Sequence, residues 1–149
     1  MGFMPAEVIA SNKLLIIPDA GLYEFGILES NVHMAWVRTV SGRLKSDYQY
    51  SSAVVYNTFP WPILREESRN KIESTAQKIL DIRGKYSTNS LADLYDPLTM
   101  PPELMKAHIA NDKAVMQAYG FSLKMSESDC VAELMKMYQN LVDVDRQSK

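Results

Sequence analysis

A chain of 149 residues, 46% hydrophobic and 23% charged, has the composition of a folded domain large enough to bury a core, with neither a disordered nor a fibrous bias. Its net charge of −2 excludes a general cationic coat for nucleic acid while leaving room for a local basic patch, and no apolar run reaches the ~20 residues that cross a bilayer. The lone Cys130 forms no internal disulfide, and beside it His33 and His108 give no zinc-ligand spacing. The opening MGFMPAEVIASN lacks the basic start and apolar centre of a signal peptide, so a cytoplasmic location is expected.

In chain order, the apolar run 14–17, ended by Pro18, reads as a strand. Ser30 can cap a helix with the body 32–40, and Gly42 suits the left-handed position behind it. Residues 43–51, RLKSDYQYS, alternate as a strand would, which places Arg43, Lys45, Asp47, Gln49 and Ser51 on one side and Leu44, Ser46, Tyr48 and Tyr50 on the other. Residues 54–56, ended by Asn57, read as a further strand, and FPWP at 59–62 as a stiff corner.

Beyond Pro62 the period becomes helical. Ile72, Ala76, Ile79 and Leu80 predict a helix over about 66–83, stopped by Gly84. Ser90 and Asp93 form a capping box for a short helix at 91–95, which Asp96-Pro97 ends. Pro101 and Pro102 open a helix to Tyr119 that Gly120 closes, and Val131, Leu134, Met135, Tyr138, Leu141 and Val142 mark a last amphipathic helix. The fold class expected is α+β: a short mixed α/β segment over 1–62, then an α-helical domain over 63–149.

Catalytic patterns are missing. No glycine-rich phosphate loop, nucleophile elbow or paired Cys and His is readable. Cys130 borders the last apolar stripe and reads as an inert thiol; His108 and Asp112, four apart, read as a local helix contact rather than an acid and base. Asp96-Pro97-Leu98 lacks the aromatic that would stack on a flipped base and reads as a turn. Met34 and Trp36 are expected in the core, His33 as a capped surface or interface group, and Tyr56, Phe59 and Trp61 as a packed hinge.

The polar row at 43–51 is the chemistry that stands out. Lysine donates to guanine O6 and N7 while aspartate accepts from cytosine N4, so Lys45 and Asp47 side by side could read both halves of one G·C pair. Arg38 and Arg43 supply charge for phosphates, and Gln49 and Ser51 are further groups for bases or sugars. The plain alternative is a solvated strand face whose charges balance.

Longer stretches decide between these. SNVHMAWVRTVSGRLKSDYQYS with VVYNTFPWP resembles the end of the target-recognition domain of single-chain type IIL restriction-modification enzymes and their orphan DNA methyltransferase relatives. LADLYDPLTMPPELMKAH with NDKAVMQAYGF resembles the helical C-terminal domain that follows, and ASNKLLIIPDAGLYEFGIL the segment just upstream. The resemblance covers nearly all of residues 2–138. It implies a parent chain with an N-terminal nuclease, a helical connector and an adenine-N6 methyltransferase core using S-adenosylmethionine, none of whose motifs stand in this sequence. The expectation is therefore a fragment with no activity or cofactor of its own, whose partners are double-stranded DNA and the rest of the parent chain. The family's base-reading pair falls on Lys45 and Asp47, with guanine facing Lys45. Two other readings stay open: a clamp bracing the recognition domain on the methyltransferase core, and a helical protein adaptor using Met135 and Tyr138.

Overall fold

The structure is a computed structural model that describes residues 1–5, 7–11, 14–44 and 47–147. Its first helix, α1 (Leu22–Leu28), starts where the Glu24 carboxylate takes the Gly21 N–H at 2.8 Å. Tyr23, Phe25, Gly26, Ile27 and Leu28 are all buried, because α1 is a wedge with partners on every side. Tyr23 and Ile27 enter one core and Phe25 the other. This helix is missing from the sequence reading, which lacked a stripe to find: an element buried all round has no polar face to set a period.

Helix α2 (Asn31–Val40) begins as expected, with the Ser30 side chain accepting from the His33 N–H. Its end differs: Ser41 turns extended and Gly42 opens a strand rather than sitting left-handed. Strand β1 (Gly42–Leu44) pairs antiparallel with β2 (Asp47–Gln49), with Gly42 opposite Gln49, Arg43 opposite Tyr48 and Leu44 opposite Asp47. The single strand expected over 43–51 is thus two, reversing between Leu44 and Asp47. Two expected strands are absent. Residues 14–17 are not paired, and Leu14, Leu15 and Ile16 are more than half exposed; the described sheet has two strands and neither pairs with this run. Residues 54–56 are wound into a π-helical turn (Ser52–Tyr56), in which Asn57 N–H reaches Ser52 O at 2.8 Å. That winding sends Val55 into the core while its carbonyl takes the Trp36 indole N–H at 3.2 Å.

The chain then runs through the buried Phe59 and Pro60 into α3 (Glu66–Lys85), whose buried stripe is Ile72, Ala76, Ile79 and Ile82. Gly84 is the penultimate residue of α3, so the helix runs two residues beyond its expected end, within its fraying last turn. The capping box holds α4 (Leu91–Leu94), with Ser90 Oγ donating to Asp93 at 2.6 Å. Pro102 starts α5 (Pro102–Tyr119), and Gly120 closes it at φ 73°, as read from the sequence. The last helix, α6 (Glu127–Gln147), buries Cys130 and Leu134.

Both cores draw on both halves of the chain. One gathers Tyr23, Trp36, Val55 and Phe59 with Ile72, Val115 and Leu134; the other gathers Phe25 with Ile79, Leu94 and Leu104. Asn111, fully buried on α5, joins three helices: its amide donates to Gly26 O at 2.7 Å and its oxygen accepts from Thr75 at 2.9 Å. At Gly26 a side chain has no room, since a Cβ would stand 2.6 Å from an Ile72 methyl.

Candidate nucleic-acid interface

The β1–β2 hairpin meets the helical body through two tyrosines, Tyr48 within β2 and Tyr50 just beyond it. Tyr48 and Tyr50 pack against the main core, as the alternation predicted. Residues facing one another across an antiparallel pair point the same way, so the reversal carries Arg43 to the tyrosine side and leaves Asp47 and Gln49 exposed on the other. The expected row of five on one face is therefore divided. The Arg43 guanidinium lies 4.6 Å from the centre of the Tyr48 ring and donates to the Tyr48 hydroxyl at 3.0 Å. Stacking leaves the arginine's remaining donors free while fixing its plane. Lys45 lies outside the described residues.

Arg38 is engaged. Its Nε and Nη2 donate to the two carboxylate oxygens of Glu127 at 2.8 and 2.9 Å, a fork that ties α2 to α6. The fork holds the Arg38 pKa up and the Glu127 carboxyl below its ordinary value. Its stability contribution is that of an exposed pair, under about 1 kcal/mol.

Behind the hairpin, His33 is 1% exposed, a correction to its expected surface place. Its ring meets Phe59 edge-on at 4.5 Å and its Nε2 lies 3.0 Å from the Tyr50 hydroxyl. Burial pushes the imidazole pKa down to about 4 and the Tyr50 phenol up to about 12. A histidine in place of an ordinary core residue is legible only from the fold, because its position on α2 is one of the buried ones. Tyr50 also lines an open cleft of about 820 Å³ with Leu14, Ile16, Ser52, Tyr56 and Asn57.

The local helix contact expected between His108 and Asp112 does not form. His108 Nε2 meets the Tyr95 hydroxyl at 2.6 Å, whereas Asp112 accepts from the Asn31 backbone and side chain at 2.8 and 2.7 Å, so the two are not a pair. Burial pushes the Cys130 thiol up to about 11. Asp96 Oδ1 accepts from the Leu98 N–H at 2.8 Å, an Asx turn whose Leu98 is 93% exposed. Trp61 meets Tyr56 and Phe59 edge to face, with Phe59 buried, as expected of a packed corner. Tyr138 rests on Trp36 with ring centres 5.9 Å apart, so it is not part of a free stripe.

Residues 1–63 match the family model of the MmeI target recognition domain, and residues 64–144 that of the MmeI C-terminal domain. The chain belongs to the MmeI family. A DNA methyltransferase A from Bacillus subtilis (strain 168) is 43% identical over 143 residues, 96% of this chain and 16% of the relative. The type IIL restriction-modification enzyme MmeI, solved in complex with DNA, superposes with a TM-score of 0.81 at 47% identity over 85% of this chain and 17% of that one. The chain thus spans about a sixth of the length of these relatives. The α+β fold agrees with that match, and the family is the one its motifs resemble.

Proposed function

We propose that this chain supplies sequence recognition to a site-specific DNA methyltransferase, with the β1–β2 hairpin as its reading element. The observation that carries the reading is a hairpin within target-recognition sequence that exposes Asp47 and Gln49 on one face while Arg43 is braced on Tyr48. Asp47 accepts from a cytosine amino group, and Lys45, next in the polar series, donates to the guanine opposite. Gln49 extends the face along the groove. Arg43 and Arg38 serve the phosphates, Arg43 from a fixed plane and Arg38 after exchanging Glu127 for phosphate.

In this reading the chemistry lies elsewhere in the longer enzyme. Methyl transfer from S-adenosylmethionine to adenine N6, and cleavage where the enzyme also restricts, belong to a core that this chain joins as a partner. The Asp96 turn, its carboxylate engaged and Leu98 rather than an aromatic after Pro97, does not fit a base or cofactor site, and no residue here is assigned to the cofactor. The shared cores favour an additional bracing role for α3, α5 and α6, which hold α1 and α2 under the hairpin.

The test is the methylated motif of a full-length methyltransferase carrying this chain, before and after Lys45→Glu with Asp47→Arg. A reader changes the motif at one base pair. A brace alone leaves it unaltered.

A further inference from the structure

We propose that His33 and Tyr50 form a positioning device for the hairpin, their hydrogen bond setting its tilt on the helical body and so which base edge Asp47 meets. The inference rests on the reading role proposed above. A two-stranded hairpin holds no orientation of its own and is marginal in water. Its footing is Tyr48 and Tyr50, and the two phenols are used differently. The Tyr48 hydroxyl takes Arg43, binding the hairpin to itself; the Tyr50 hydroxyl meets His33, binding it to the body.

His33 is suited to be the fixed end. Ser30 accepts its backbone N–H at 3.3 Å where α2 starts, and Phe59 stands edge-on to its ring. Packing alone does not account for an imidazole here, since its Nδ1 is buried without a hydrogen-bond partner among the described residues. An apolar side chain would fill the space without that orphan. With an orphaned nitrogen, the cheaper arrangement leaves Nδ1 a bare acceptor and puts the proton on Nε2, which then donates to the Tyr50 oxygen.

The lever is long. Asp47 lies three residues from Tyr50, about 10 Å along an extended strand, so a tilt of about 10° moves it by about 1.7 Å. Base-edge hydrogen bonds tolerate far less, their donor–acceptor distances spanning only about 0.5 Å.

The experiment uses a full-length methyltransferase carrying this chain. It compares methylation rates on the cognate site and on a site altered at the base pair that Lys45→Glu with Asp47→Arg identifies. Tyr50→Phe is expected to lower that discrimination by about tenfold or more, within the range a mismatch normally commands. The double variant His33→Leu with Tyr50→Phe removes both polar partners; it should recover the melting temperature that Tyr50→Phe loses without recovering discrimination. Discrimination that is unchanged in Tyr50→Phe, or that returns with stability in the double variant, overturns the positioning role. If the charge reversal moves a base pair and Tyr50→Phe moves nothing, this inference fails alone. If the charge reversal moves none, the reading role fails and takes this one with it.

Discussion

Asn111→Asp changes one atom type at the joint between α1, α3 and α5, and its effect on stability should depend on pH. The wild-type amide donates to the Gly26 carbonyl at 2.7 Å, and that carbonyl needs it because Ser30 N–H, its regular helical partner, turns to Ile27 O instead. A protonated carboxyl can make the same donation; an ionised one sets two oxygens against each other at a fully buried site. The folded protein therefore keeps the proton, and the folded pKa rises above the unfolded value near 3.9. Between those two values the unfolded chain has released a proton that the folded one holds, so stability falls as pH rises, by about 1.4 kcal/mol per pH unit. From pH 4.5 to 7 that amounts to about 3 kcal/mol relative to wild type if the folded pKa exceeds 7, or roughly 6–12 °C of melting temperature for a chain this size. Thermal unfolding followed by circular dichroism at both pH values, variant minus wild type, measures it. A difference that is the same at both pH values refutes the joint.

His33 gives the opposite slope. Its folded pKa of about 4 lies below the unfolded value near 6.5, so its contribution is complete above about pH 6.5 and is lost as pH falls toward 4, about 3 kcal/mol in all. Its imidazole resonances should not titrate near pH 6.5, and His33→Leu should flatten the acid limb of the stability curve; a normal titration would place the ring in water. Cys130, buried with its thiol pushed up to about 11, should react with a thiol reagent at pH 7 about two orders of magnitude more slowly than in the unfolded chain, and equal rates would contradict its place on α6.

How far such sites could be read in advance depended on what each element buries. α3, α5 and α6 each have a wet side, so a stripe or a cap betrayed them; Ser90 with Asp93, Pro102 and Gly120 act locally and behave in the fold as their chemistry predicts. α1 has no wet side, and the π turn at 52–56 is dictated by Val55 and Trp36 meeting across 19 residues, which no local pattern records. The polar row was visible as chemistry but misplaced in geometry. A nine-residue strand and a hairpin both alternate, and the antiparallel register sets an odd position opposite an even one, which is how Arg43 came to lie on Tyr48. His33 was misjudged for a related reason: its burial follows from Tyr50 and Phe59 meeting its ring from 17 and 26 residues further along the chain.

The most direct measurement of the central claim is the base-resolved N6-methyladenine map of a genome modified by a full-length methyltransferase carrying this chain, with and without Lys45→Glu and Asp47→Arg. The substitution reverses donor and acceptor, so one G·C position of the motif is predicted to become C·G, with the rest of the motif retained. Methylation that persists at the original motif would contradict the claim, leaving the exposed face of β2 as a solvated edge and the base readers outside this chain.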